Sequence, residues 1–296
     1  VGKARTGGRP KSFGDYKAEG ANWITLATGE YYPDILPGAR ELYKPVLVMF
    51  GQILHASESS QALLGSICAL REQWMRIQLL RVFRKYVSPP LSVEMLKVKS
   101  RLHSICKRFG AGFRPVNEVQ AAFTSRPIPD EALCAVLWEY KDRGKSGYDL
   151  TERFFALVRS HLPEYQIEGP ERAGRDILLG EVWVNYPKPD RPADFLIKSG
   201  QHVVAVGFAR YDSDRGGSQE DDRTGGYRDC AAELLAFARK EGLGKLKIIF
   251  LNDGPGLLLG SMWSDYARLE DSGRGRVRVV TLRMVPERIG PQWLES

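Results

Sequence analysis

Two apolar runs, Pro192 to Lys198 and His202 to Tyr211, meet at Ser199-Gly200. Strand-forming runs separated by a two-residue turn pair are the strongest short-range sign of a β-hairpin, so this stretch predicts two adjacent antiparallel strands. Leu246 to Leu251 is a near-continuous apolar run, the pattern of a strand buried on both faces. Between them, Ala231, Leu234, Leu235 and Ala238 recur at helical spacing over Asp229 to Glu241. Asn252-Asp253-Gly254-Pro255-Gly256 carries turn chemistry, Ser261 to Leu269 reads as a helix, and Val277 to Val285 alternates as a last strand. Upstream of the hairpin, short strands are predicted near Ile177 and over Glu181 to Tyr186. The order strand, strand, strand, helix, strand, helix, strand predicts an α/β fold with a mixed central sheet flanked by helices.

The preceding half reads as helical. From Gln61 to Tyr86 apolar residues recur every three to four positions, which predicts one long helix capped by Ser59 or Ser60 and stopped at Ser88-Pro89-Pro90. A second helix is predicted from Val93 to Phe109, capped by Ser92 and ended by Gly110, and three more over Asn117 to Phe123, Pro129 to Tyr140 and Tyr148 to Leu162. Trp23 to Pro37, interrupted by Gly29 and Pro33, supports no element. This divides the chain into a mostly helical region over 1–165 and a sheet-bearing core over 166–296. Residues 1–16 hold Lys3, Arg5, Arg9 and Lys11 among four glycines and read as a flexible basic arm, solvated or lying along phosphate.

Composition narrows the function classes. The 296 residues carry 43 Lys and Arg against 36 Asp and Glu, a net charge of +7 that favours a polyanionic partner. No apolar run approaches the ~20 residues of a membrane helix and the N-terminus carries no signal-like segment, so no membrane partner and a cytoplasmic location are expected. Cys68, Cys106, Cys134 and Cys230 are far apart, which argues for reduced thiols over zinc or a disulfide framework. His55, His103, His161 and His202 are equally scattered and suggest no catalytic triad.

Asp194, in Pro192-Ala193-Asp194, stands at the head of the hairpin, and Val203-Val204-Ala205-Val206 leads its second strand. An acid so placed before such a hairpin resembles the PD-(D/E)XK nuclease superfamily, whose best-populated branch is the type II restriction endonucleases. The resemblance implies a restriction-endonuclease-like core, with the helical region as an N-terminal lobe. It also implies an acid, a spacer and a lysine on the strand after the hairpin. Aligned on the apolar lead-in, those positions fall on Gly207 and Ala209, neither of which can bind a metal. Either the catalytic groups have moved, or the chain is an inactive version, or the alignment is shifted.

What the resemblance implies for the site follows residue by residue. Asp194 would be the metal-binding catalytic aspartate, with Asp190 its rival. The second carboxylate would come from Glu220, Asp221 or Asp222, or from Asp212 or Asp214, with Glu181 completing the shell. Lys198 would replace the missing lysine, because residues 194, 196 and 198 share one face of a strand; an ordinary strand-end lysine is the plainer reading. The segment Tyr211 to Arg228 alternates acids with arginines between two Gly-Gly pairs. It reads as a DNA-contacting loop in which Arg215, Gln219, Arg223 and Arg228, with Arg210 just before it, would meet bases or phosphates. The implied function is Mg²⁺-dependent, sequence-specific cleavage of double-stranded DNA by a homodimer in a restriction-modification system. The rivals are a repair or junction nuclease on the same core and a DNA-binding protein without catalysis.

Overall fold

The computed structural model describes residues 10–141, 145–170, 176–213 and 219–296, with the side chains of 145–148 and 219–224 outside the description. The chain forms two compact units, one of residues 29–143 and one combining 1–28 with 144–296. The boundary therefore lies near 143 instead of 165, because the helix over 145–161 packs on the sheet.

The 29–143 unit is all helical. Its first helix, Leu36–His55, was not anticipated: Pro45 lies inside it and masks a buried stripe of Ala39, Tyr43, Val46, Leu47, Phe50 and Leu54. The single long helix predicted over 61–86 is two helices, Ser60–Ala69 and Gln73–Tyr86. Glu72 makes the break, since its carboxylate accepts from the N–H groups of Trp74 and Met75 and caps the second helix. The predicted 93–109 helix is likewise divided into Val93–Leu96, a 3₁₀ turn and Leu102–Phe109, with Ser92 capping the start. Val116–Thr124 and Glu131–Trp138 follow as expected, the latter capped by Asp130. The core closes around Phe50, whose ring lies 5.3 Å from that of Phe123.

The other unit is built on a five-stranded mixed sheet: β1 (Gln166–Glu168), β2 (Phe195–Ser199), β3 (His202–Tyr211), β4 (Lys247–Asp253) and β5 (Val277–Val280), in that spatial order. β1, β2 and β3 form an antiparallel meander, and β3, β4 and β5 are mutually parallel. The predicted hairpin is present: Ser199 pairs with His202, and Gly200 turns the chain at φ 59°, a left-handed conformation that glycine takes without a Cβ clash. β4 is buried along its whole length, as its apolar run predicted. The strand expected over 181–186 is absent, and a one-turn helix, Leu179–Val182, stands there.

Helix α1 (Lys145–His161) covers one face, where Phe154 and Phe155 pack on Phe195 at 4.7 and 6.1 Å between ring centroids. Helices α2 (Gln219–Lys240) and α3 (Met262–Ser272) cover the other, where Tyr227 packs on Phe250 at 4.7 Å and Phe208 stacks on Phe250 at 5.3 Å. The N-terminal segment does not behave as a flexible arm over residues 10–16; residues 1–9 lie outside the described ones. Phe13 is fully buried, stacks 4.6 Å from Trp263 and accepts at its carbonyl from the indole N–H. Asp253, at the end of β4, holds the following residues in place by accepting from the N–H groups of Thr25, Gly254 and Leu282.

Candidate functional site

Asp194 sits in the bend between a two-residue ladder strand, Pro192–Ala193, and β2. Its N–H donates to the Gly207 carbonyl at 3.0 Å, and its Oδ2 accepts from the Ala209 N–H at 2.8 Å. These two bonds anchor the aspartate to β3. Burial pushes its carboxyl above the ordinary range, the Ala209 N–H offsets part of that, and the nearby charge of Asp176 raises it further. Asp176, exposed just before the Ile177–Leu178 ladder strand, is a second carboxylate that sequence reading passed over. Nothing in its local pattern marks it; only tertiary proximity does.

The register of β2 and β3 decides which residues share a face with Asp194. Phe195 pairs with Gly207, and both face α1. A Cβ on Gly207 would lie 1.9 Å from the Phe195 ring. Side chains alternate along a strand, so Gly207 and Ala209 look away from α2, whereas Phe208 and Arg210 look toward it. Tyr227 on α2 confirms the grouping. Burial raises its hydroxyl well above the ordinary tyrosine value, and the charges of Arg210, Asp194 and Asp212 all bear on it. Gly207 and Ala209 therefore lie on the opposite face of β3 from Phe208 and Arg210.

Arg210 and Asp212 form the most enclosed ion pair in this cluster. Nε of Arg210 donates to Oδ1 of Asp212 at 2.6 Å, and Asp212 is 3% exposed. Burial pulls the guanidinium down, and the Asp212 carboxylate more than offsets it, so Arg210 stays firmly charged. Oδ2 of Asp212 also accepts from the buried Tyr266 hydroxyl at 3.5 Å. Asp212, expected as a metal ligand, is held here by Arg210 and Tyr266.

Other expected site residues stand elsewhere. Lys198 pairs with Glu168 on β1 at 2.6 Å, about 13 Å of strand away from Asp194. Glu181 is exposed on the one-turn helix Leu179–Val182, and Asp190 is exposed in the loop after it. Arg228 lies exposed on α2, so the loop predicted over 211–228 gives way to helix from Gln219 onward. The side chains of Gln219, Glu220 and Arg223, and all of Arg215 and Asp214, lie outside the described residues. Among the described residues no three acidic, histidine or cysteine side chains converge to hold a cation. Asp194 and Asp176 offer two carboxylates, a number sufficient for Mg²⁺ only where substrate phosphate and water complete the shell.

Cys68, Cys106, Cys134 and Cys230 are free thiols, and burial pushes those of Cys134 and Cys230 up to about 11. Among the described residues no helix is long and apolar enough to cross a membrane.

The fold and site define an α/β protein with a five-stranded mixed sheet flanked by helices, bearing a carboxylate and arginine cluster on one face of its central strand. No family model, curated protein or solved structure matches the chain.

Proposed function

We propose that the protein is a metal-dependent endonuclease on double-stranded DNA, with a PD-(D/E)XK-type core, of the type II restriction class. The observation that carries this reading is that Asp194, at the head of β2, and Arg210, on β3, share the face beneath Tyr227. An antiparallel meander continued by parallel strands is the kind of mixed sheet that the sequence resemblance implies. In this arrangement Asp194 keeps the family aspartate's role, Arg210 takes the lysine's place, and Phe208 stands where the acid would be. Asp176 and the undescribed side chains of Glu220, Asp221 and Asp222 are the sources for a second carboxylate.

Asp194 and Asp176 would hold the cation, which when bound polarises the phosphate and lowers the pKa of its water. The remaining work belongs to the chain. Arg210 is permanently charged, so it stabilises negative charge on the phosphate and cannot act as a base. Asp212 takes its Nε and orients the planar fork, whose terminal nitrogens match phosphate oxygens. Cutting both strands at a palindromic site calls for a second copy of the chain related by two-fold symmetry.

A second reading, DNA binding without cleavage, is favoured by Phe208 at the acid's position. The test is incubation of the intact protein with long duplex DNA, with and without Mg²⁺, alongside a binding measurement. Discrete Mg²⁺-dependent fragments, lost in Asp194→Asn while binding persists, support the nuclease. Binding without fragments supports the second reading, and absence of salt-resistant binding overturns both.

A further inference from the structure

A cavity of about 320 Å³ lies away from the Asp194 cluster, between the N-terminal segment, α3 and β5. Four cations line it, Lys11, Arg274, Arg278 and Arg288, against the two carboxylates of Glu270 and Asp271. The acid that matters inside is already used: Glu270 accepts from the Phe13 and Val279 N–H groups at 2.8 Å each and from Arg288 at 2.6 Å. Arg288 is 4% exposed, and its Nε has no hydrogen-bond partner among the described residues. A buried guanidinium N–H without an acceptor is costly, and the other nitrogens of Arg288 are held by the Val279 carbonyl and Glu270.

Arg278 is in the same condition. It is half-buried, its guanidinium lies 4.5 Å over the Trp293 ring, and among the described residues no carboxylate pairs with it. Burial, and then the charge of Arg288, lower it to about 10, and the Glu270 carboxylate offsets only part of that. Arg274 stands at the rim with φ 47°, the single non-glycine residue in the left-handed region among those described.

We infer that this cavity is an oxyanion site that takes a phosphate group, with Arg278 and Arg274 as its forked donors and Arg288 as its buried floor. Planar guanidiniums pair with phosphate oxygens through parallel N–H bonds, and a dianion offsets the excess positive charge. The site is separate from the DNA-cleavage reading and stands or falls without it.

The test titrates the intact protein calorimetrically with inorganic phosphate at constant ionic strength, with chloride as the control anion. Saturable binding of one phosphate per chain is the expected result. Arg278→Gln and Arg274→Gln should each weaken it about tenfold or more, the value of one charge-assisted hydrogen bond. Both arginine variants keep the Arg288–Glu270 pair, and melting curves without phosphate verify that they fold. Displacement of the bound phosphate by a short DNA duplex assigns the site to a backbone phosphate; retention assigns it to a free phosphoryl ligand. Phosphate binding that is absent, or indifferent to both substitutions, overturns the inference.

Discussion

Gly207 and Phe195 stand opposite each other across β2 and β3, so close that a Cβ on Gly207 would lie 1.9 Å from two carbons of the phenyl ring. The ring is itself fully buried against Phe154 and cannot step aside cheaply. Glycine at 207 is therefore a packing requirement of the α1 face. Gly207→Ala should lower stability by about 1–3 kcal/mol, the usual cost of overpacking, measured as a reduced urea midpoint. Gly207→Glu adds a buried carboxylate to that clash and should fail to fold. A well-folded Gly207→Glu protein with new cleavage activity would contradict this account of the site.

Asp194 should trade stability for function. Its carboxyl is raised in the folded state, chiefly by burial. The native protein thus holds that proton more tightly than the unfolded chain does. The associated stability is complete below the ordinary carboxylate range and is lost as pH rises through the raised value. Asp194→Asn keeps an oxygen for the Ala209 N–H and removes the charge. It should stabilise the protein near pH 7 by on the order of 1 kcal/mol, with the gain shrinking toward pH 4, while abolishing cleavage. Thermal melts of both proteins across that pH range check it, and a gain that grows on acidification would reverse the sign.

Arg210 and Asp212 should be separable into folding and function by a double substitution. Removing Arg210 alone deletes the 2.6 Å ion pair to Asp212, which is 3% exposed. Arg210→Ala should cost about 3–5 kcal/mol. Arg210→Gln combined with Asp212→Asn removes both charges and should recover most of that loss. Activity should not return with it, because the charge beside the phosphate is gone. Unfolding curves and cleavage assays on the three proteins decide the matter.

Glu233 should report acid unfolding. Burial pushes its carboxyl up, but Arg191, Lys188 and Tyr186 outweigh that and hold it at about 2. Here the folded value lies below the unfolded one. The stability is present above the ordinary glutamate range and is lost as pH falls from about 4.5 toward about 2. Glu233→Gln should flatten that part of the pH–stability profile and lower stability at pH 7 by on the order of 2 kcal/mol, as expected for charge-assisted bonds removed from a partly buried site. An unchanged acid limb would show that this cluster does not anchor α2.

The candidate site was legible only in part. Asp194 stood out because a hairpin announces itself locally, through two apolar runs and a turn, and an acid at its head is visible in the same stretch. Arg210 reads from the sequence as a basic residue at the end of the hairpin, but not as one that shares a face with Asp194. A slip of one residue exchanges the two faces of a strand, and no sequence window contains the pairing that sets the register. Asp176 carried no signal at all.

By itself the sequence determined the local matters: the hairpin, the doubly buried β4 and the serine caps at Ser59 and Ser92. Each depends on residues within a turn or two of one another, where periodicity and backbone chemistry dominate. Tertiary structure alone decided that Phe208 and Arg210, not Gly207 and Ala209, look toward Tyr227. It also decided that Phe13 leaves solvent to stack on Trp263, and that Arg278 and Arg288 line one cavity. Those outcomes depend on which distant surfaces bury each other, a balance of area and shape summed over the whole core.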